Sequence, residues 1–151
     1  MYTDIGLSLS ALLLGTMTSF MVVTSPTVFK TLDGEHSKKF LRSVFPRLFN
    51  FCFLISTFMF LSFALGEFFF GMIFAIVIAI SFLINTYFLT PKINTMRDLM
   101  LEGHGASERG FKTLHLASVL LYLLNMILVI LIFIVYYLSL IHISEPTRLT
   151  S

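Results

Sequence analysis

The sequence predicts an all-α protein: an integral membrane four-helix bundle of two helical hairpins, with short interfacial helices on the cytoplasmic side. Hydrophobic residues make up 57% of the 151 residues and charged residues only 12%, and the mean hydropathy is +0.93. The apolar residues fall into four blocks of roughly 18 to 26 residues, long enough to cross a bilayer as helices. This composition excludes an ordinary soluble enzyme and a disordered chain. A net charge of +2 provides no basic face for nucleic acid.

The four blocks form one domain, residues 1–142, with predicted spans at about 5–29, 45–65, 68–90 and 111–141. The first block has no charged side chain and no preceding basic segment, so we interpret it as a retained span rather than a signal peptide. Gly66-Glu67 leaves room only for a tight turn between the second and third blocks. Backbone amides in lipid must be bonded within their own segment, and no block alternates like a barrel strand. All four are therefore predicted to be helices.

The last residues, 143–151, form a polar tail that contrasts with the apolar block before it. The letters LIHISEPTRLTS resemble translated adapter sequence, so we interpret part of this end as non-native. An ordinary disordered terminus is the alternative.

Lysine and arginine lie almost entirely beside two of the three connections between the blocks. Short loops rich in these residues are retained in the cytoplasm. The asymmetry predicts a multi-pass protein of a bacterial inner (cytoplasmic) membrane, with both termini outside and the Gly66-Glu67 turn beside them. The residues concerned are Lys30, Lys38, Lys39, Arg42 and Arg47 at the first connection, and Lys92, Arg97, Arg109 and Lys112 at the third.

Two prolines interrupt the first and third blocks in the same way, at Ser25-Pro26 and at Thr90-Pro91. Ser or Thr before Pro suits a helix N-cap followed by the first helical position, so a short interfacial helix is predicted to begin at each point. A proline kink in a continuing helix is the alternative. Because a basic connection and an outward helix follow each proline, we also hypothesise an internal duplication in which Pro26 corresponds to Pro91.

Small residues recur at four-residue spacing on the first and third predicted helices. Such ladders allow another helix to approach closely, so we interpret them as helix-packing surfaces. For the first ladder, a substrate path is the alternative. The two ladders are Ala11, Gly15 and Ser19, and Gly71, Ala75 and Ala79.

The fourth predicted helix carries the strongest candidate for a functional polar face, within about an 80° arc that can turn toward the bundle interior. On this face His115 would lie near the cytoplasmic boundary, where an imidazole titrates near neutral pH or binds a metal or haem. The alternative is an imidazole bonded to a neighbouring helix, with Asn85 and Thr86 as its predicted partners. A buried Asn on this face would equally serve to define helix register. The face consists of His115, Ser118, Tyr122 and Asn125.

Patterns of known catalytic or metal-binding chemistry do not occur in the sequence. It contains no HExxH, no GxSxG and no paired carboxylates, and no Asp or Glu lies within a predicted span. His36, His104 and His115 do not have the spacing of a zinc site. We therefore predict no catalytic residues, no cofactor and no confident metal site, and leave open whether the protein is an enzyme.

Four short motifs at the ends of the predicted helices resemble the transmembrane protein 205-like family, a four-span group of unknown function. The similarity extends over roughly Leu7 to Val135 and implies an integral membrane protein. A eukaryotic relative linked to drug resistance suggests transport, and a distant likeness to copper-resistance membrane proteins keeps metal handling open. The motifs are SPTVF, FPRLF, TPKIN and FKTLHLAS, and the positions that they single out are Pro26, Phe29, Phe45, Pro46, Pro91, Arg97, Phe111 and His115.

These observations favour an integral membrane protein that acts as a small-molecule binding or transport-like module. One alternative is a subunit or scaffold of a membrane complex, and another is a haem- or copper-handling protein that uses His115. The expected partners are the lipid bilayer and either a second copy of the chain or a membrane-complex subunit, but not nucleic acid.

Overall fold

The computed structural model describes residues 1–103 and 106–144, and the side chains of this part except those of residues 106 and 142–144. Residues 104–105, which include His104, and most of the polar tail lie outside this part. Four helices account for nearly all of it, and each is long and apolar enough to cross a membrane. The predicted all-α, four-span bundle is therefore confirmed. The helices are α1 (Tyr2–Thr31), α2 (Gly34–Leu65), α3 (Phe69–Leu101) and α4 (Ala106–Ser144).

The helices alternate in direction and form a closed ring of neighbours in chain order. Helix α1 packs against α2 and α4, and α3 packs against the same two, whereas the diagonal pairs meet only through side chains such as the rings of Phe49 on α2 and Tyr122 on α4. Their inward faces form an apolar core that runs along most of the bundle, while many large apolar side chains point outward, as expected where lipid replaces water. The core contains Leu13, Met17, Phe49, Cys52, Ile55, Met59, Phe63, Ala75, Ile78, Phe82, Val129 and Ile132.

Helices α2 and α3 form the tight hairpin that the sequence predicts. The N–H of Phe68 donates to the carbonyl of Phe63 (3.0 Å), and Glu67 has a positive φ of 54°. This bond pattern ends a helix with one left-handed residue, a position that usually holds glycine. Here glycine comes one residue earlier, because a side chain at Gly66 would collide with Thr3 of α1.

Helices α1 and α3 each contain a five-residue π-helical segment just before their proline. The segments are Phe20–Thr24 and Asn85–Leu89. The first residue after each, Ser25 or Thr90, donates its N–H to a carbonyl five residues back. Because proline lacks an N–H and its ring crowds the preceding turn, a wider turn allows the helix to continue.

The helix therefore continues through both prolines, as in the second of the two alternatives from the sequence. No N-cap forms at Ser25 or Thr90, since both residues keep right-handed helical backbone angles. The predicted short helices are the end segments Ser25–Thr31 and Thr90–Leu101 of α1 and α3. Pro26 and Pro91 also occupy the same place relative to their π segments, which is the correspondence that an internal duplication requires.

The two ladders of small residues lie in different surroundings. Gly71, Ala75 and Ala79 are buried within the bundle, and a side chain at Gly71 would meet the rings of Phe63 and Phe68. Ala11, Gly15 and Ser19 are exposed on the outside of α1, and a Cβ at Gly15 would have no neighbour within 4 Å. Within one chain, α1 instead turns Gly6, Ser10, Leu13 and Met17 toward its neighbours.

The cationic residues gather at one end of the bundle, which we call the basic end. Both basic connections lie there, whereas the turn at Gly66 and Glu67 lies at the opposite end. Asp33 caps α2 by accepting a hydrogen bond from the His36 N–H (2.9 Å). Arg42 of α2 reaches α3 and forms a salt bridge with Asp98 (2.7 Å).

Candidate functional site

A cavity of about 300 Å³ opens among all four helices toward the basic end. Its wall is largely aromatic and aliphatic, and its polar groups come mainly from α3 and α4. This combination of an apolar wall and a few convergent polar groups is typical of ligand sites. The apolar lining is Phe20, Met21, Phe29, Leu41, Phe45, Phe49, Ile93, Val119 and Leu123, and the polar lining is Ser25, Arg42, Thr90, Asn94, Arg97, His115, Ser118 and Tyr122.

Two arginines face the cavity, and only one has an anionic partner among the residues described. The guanidinium of Arg42 donates to both carboxylate oxygens of Asp98 (2.8 and 2.7 Å) and to the carbonyl of Asn94 (3.2 Å). Arg97 takes part in none of the salt bridges found in this part of the chain. No carboxylate lines the cavity within the described residues, so the charged side chains of its wall are the two arginines.

Arg97 and His115 both lie against the ring of Phe111. The guanidinium carbon of Arg97 is 4.9 Å from the ring centroid, which is cation–π distance. The His115 imidazole stacks nearly parallel to the same ring, at an interplanar angle of 7° and a centroid distance of 5.7 Å. Phe111 thus contacts both the cation of α3 and the imidazole of α4, and both of these groups line the cavity.

Deeper in the bundle, two hydrogen bonds join α4 to other helices. The Ser118 hydroxyl donates to Oδ1 of the buried Asn85 (2.7 Å), and the Tyr122 hydroxyl donates to the Met17 carbonyl of α1 (2.9 Å). These bonds connect α4 to α3 and to α1 at the level where the cavity narrows. They hold the polar face of α4 in the orientation that lines the cavity.

Several buried polar atoms have no hydrogen-bond partner in the described residues. They are Oγ of Ser81, Nδ2 of Asn85, and both Oδ1 and Nδ2 of Asn125. Asn125 is fully buried. An unpaired buried amide costs free energy, so this residue opposes folding unless it serves another purpose.

The structure brings three of the four predicted polar-face residues to the cavity. His115, Ser118 and Tyr122 line it, whereas Asn125 lies deeper and outside the lining. Of the two predicted partners of His115, Asn85 bonds to Ser118 instead. Thr86 bonds to the carbonyl of Phe82 in its own helix (2.8 Å).

The motif positions have mixed roles. Phe29, Phe45 and Arg97 line the cavity, and Phe111 contacts both Arg97 and His115. Pro26, Pro46 and Pro91 are absent from the lining and instead shape the helices, with Pro46 inside α2.

Arg42, Asn94 and the aromatic residues Phe20 and Phe49 were not predicted to belong to the site. In the sequence, Arg42 is one of the cations beside the first connection, and we used it only to predict the orientation in the membrane. No periodicity in the sequence shows that α2 turns this side chain toward α3.

Helices α1 and α4 separate beside the cavity, and we interpret the gap between them as a lateral opening. No Cα of Ser25–Thr31 lies within 8 Å of a Cα of α4, although both helices line the cavity. Four apolar side chains at this gap are exposed: Met21, Phe29, Val119 and Leu123. In a bilayer, this opening would face the acyl chains.

A metal centre is not evident in the part of the chain that the structure describes. No three His, Cys, Asp or Glu side chains come together there. Arg97 and His115 contact the same Phe111 ring, and the positive charge of Arg97 repels a metal cation. Cys52 is buried in the apolar core.

The chain was compared with known proteins. A family model for a domain of unknown function, DUF4149, matches residues 8–103. This match covers α1, α2 and α3, and it includes Arg42, Asn85 and Arg97 of the site. No curated protein and no solved structure matches the chain significantly. Because the matched segment is more than half of the sequence, the chain belongs to the DUF4149 family, whose function is unknown.

Proposed function

We propose that this membrane protein is a binding module for a small molecule that enters from the bilayer, as a transporter or carrier does. The observation that carries the proposal is the cavity, which is apolar toward the lateral opening and polar toward the basic end. Its volume of about 300 Å³ lies at the lower limit of typical ligand sites. A ligand of this kind has an apolar part that remains near the lipid and a polar part that reaches Arg97, His115 or Ser118.

The chain offers a direct test of access to the cavity, because Cys52 is its sole cysteine. In a Cys52→Ala background, Ser118→Cys places a thiol in the cavity wall. Leu120→Cys is the matched control, since Leu120 is 56% exposed on the same helix but does not line the cavity. Each variant is treated in membranes with a small, charged methanethiosulfonate reagent.

We expect rapid modification of Ser118→Cys and slow modification of Leu120→Cys, because the thiolate reacts only where water and the reagent reach it. Equal, slow rates at both positions would contradict an accessible cavity and would remove the basis of the proposed function.

We also propose a finer classification and placement for the protein. The motif resemblance described above supports a relation to the transmembrane protein 205-like group. The gathering of cations at one end supports a bacterial inner membrane location with that end in the cytoplasm and both termini outside.

A second candidate function is that of a subunit in a membrane assembly. One observation favours it: Ala11, Gly15 and Ser19 form an exposed small-residue face on α1, and such faces allow close helix pairing. Oxidative crosslinking of Gly15→Cys in the Cys52→Ala background tests it, with Leu12→Cys as the neighbouring control. A dimer formed equally by both variants, or by neither, would argue against pairing through this face.

Haem or copper binding at His115 receives less support. The positive charge of Arg97 and the lack of a ligand cluster among the described residues disfavour a metal cation. Visible absorbance and metal content of the purified protein, compared with those of His115→Ala, would reveal such a cofactor.

A further inference from the structure

We infer that the ligand of this cavity is an anionic amphiphile: a molecule with one carboxylate or phosphate group, bound by Arg97, and one hydrocarbon chain that leaves through the opening between α1 and α4. This inference rests on the proposed function and specifies its ligand class. It follows from the charges at the cavity, from the geometry of Arg97 and from the position of the opening.

The charge argument concerns Arg97. Its side chain is only partly exposed and lines a cavity with an apolar wall. A guanidinium at such a site carries a desolvation cost that an opposite charge offsets. Arg42 has such a charge in Asp98 (2.7 Å), whereas Arg97 has none among the described salt bridges. An anionic ligand would supply the missing partner.

The shape of the guanidinium narrows the chemistry of that anion. Its planar set of N–H donors matches the paired oxygens of a carboxylate or a phosphate. The ring of Phe111 lies 4.9 Å from the guanidinium carbon of Arg97, and none of the described salt bridges uses the Arg97 N–H groups, so they can bind such an anion. The His115 imidazole stacks on the same ring.

The position of the opening determines the rest of the molecule. The cavity is too small for a whole membrane lipid, but its gap toward the bilayer is lined by Met21, Phe29, Val119 and Leu123. A hydrocarbon chain that passes through this gap would stay in apolar surroundings, against these side chains and the acyl chains of the lipid. A small inorganic anion would gain nothing from this lining.

The test measures binding of four probes to the full chain, purified in an uncharged detergent, by titration in native mass spectrometry. The probes are dodecanoate, dodecyl phosphate, dodecanol and inorganic phosphate. The first two carry both parts of the proposed ligand, dodecanol lacks the charge, and inorganic phosphate lacks the chain. The variants are Arg97→Gln and, as a control that removes one exposed cation from the same end without altering the cavity, Arg47→Gln.

We expect the wild-type chain to bind dodecanoate and dodecyl phosphate at least about tenfold more tightly than dodecanol, the factor that one charge-assisted hydrogen bond provides. Arg97→Gln should abolish this preference, and Arg47→Gln should retain it. Val119→Trp, which leaves Arg97 in place and fills the opening, should weaken binding of all three chain-bearing probes.

Each other result overturns the inference. If dodecanol binds as tightly as dodecanoate and Val119→Trp weakens both, the anionic class is wrong but the proposed binding function stands. If inorganic phosphate binds as tightly as dodecyl phosphate, the hydrocarbon part is wrong. If no probe binds and Ser118→Cys is also unreactive, the proposed function fails as well. The comparison of probes on the wild-type chain decides the matter even if Arg97→Gln does not fold.

Discussion

Two buried asparagines show how differently one residue type behaves within this bundle. Asn85 accepts a hydrogen bond from Ser118 (2.7 Å), whereas neither polar atom of Asn125 has a partner in the described part of the chain. Both side chains are fully buried. The sequence placed Asn125 on the same face as His115, but its partner depends on which residues of other helices lie opposite.

We predict that Asn125→Leu raises the free energy of unfolding by about 1 to 3 kcal/mol, the cost of burying an unpaired polar group. The matched variant Asn85→Leu should raise it less, since it removes one unpaired amide N–H group but also leaves the Ser118 hydroxyl without its acceptor. Thermal unfolding in detergent, followed by circular dichroism, measures both. Destabilisation by Asn125→Leu would show that this amide has a partner or a ligand in the folded protein.

A second prediction concerns pH and the cap of α2. Hydrogen bonds from the backbone N–H and the ring of His36 hold the pKa of Asp33 below its usual value. A lowered pKa in the folded state means that the cap stabilises the protein above about pH 4, the usual range for Asp. This contribution disappears as pH falls through the folded-state pKa.

The measurement compares the thermal unfolding midpoint between pH 6 and pH 3 in the wild-type chain and in Asp33→Asn. Asparagine caps a helix but does not titrate in this range, so its midpoint should fall less steeply. Identical profiles would mean that Asp33 makes no pH-dependent contribution.

At the scale of elements, the turn between α2 and α3 departs from the usual pattern. The left-handed position is held by Glu67 (φ 54°), although Gly66 is adjacent. Thr3 of α1 approaches Gly66 so closely that a Cβ there would clash. Glycine therefore occupies position 66, where the contact with Thr3 leaves no room for a Cβ. Local backbone preference alone would place glycine at position 67, which has the positive φ.

We predict that Glu67→Gly stabilises the protein by about 1 kcal/mol, since glycine adopts this conformation without the penalty of a Cβ. Gly66→Ala should destabilise it, because α1 would have to move away from the turn. Thermal unfolding of both variants measures the effects. A neutral Gly66→Ala would show that the contact with Thr3 is loose in solution.

The π segments are elements whose position was predictable but whose form was not. Pro26 and Pro91 mark the places where the regular helix must change. Whether the backbone forms an N-cap, a kink or a wider helical turn at a proline depends on how the helix packs against its neighbours. Here the buried residues Phe20 and Asn85 each begin a π segment, and Asn85 is held by Ser118 of α4.

At the scale of the whole molecule, the cations at one end of the bundle predict its orientation in the membrane. Cysteine labelling of intact cells tests this orientation in the Cys52→Ala background, with Glu67→Cys at one end and Lys38→Cys at the other. We expect an impermeant maleimide to label Glu67→Cys from outside and Lys38→Cys only after the membrane is opened, because basic loops stay in the cytoplasm. The reverse pattern would contradict the predicted orientation.

Much of the fold was predictable because its main determinants are local. Long apolar stretches specify helices in lipid, the turn at Gly66 and Glu67 specifies a hairpin, and the prolines specify where α1 and α3 change. The structure confirms four such helices. The polar face with His115, Ser118 and Tyr122 was also visible, since helical periodicity shows which residues share a side.

The sequence alone therefore determined that lipid surrounds the helices, how many helices there are, and which residues of α4 form one wall of the cavity. The tertiary structure decided which features complete that cavity: Arg42 bound to Asp98, Arg97 without such a partner in the part of the chain that the structure describes, and a gap between α1 and α4. The physical reason is that hydropathy and periodicity act along one segment. Cavities and charge pairing, in contrast, depend on the faces of several helices, and these are defined only when the whole bundle packs.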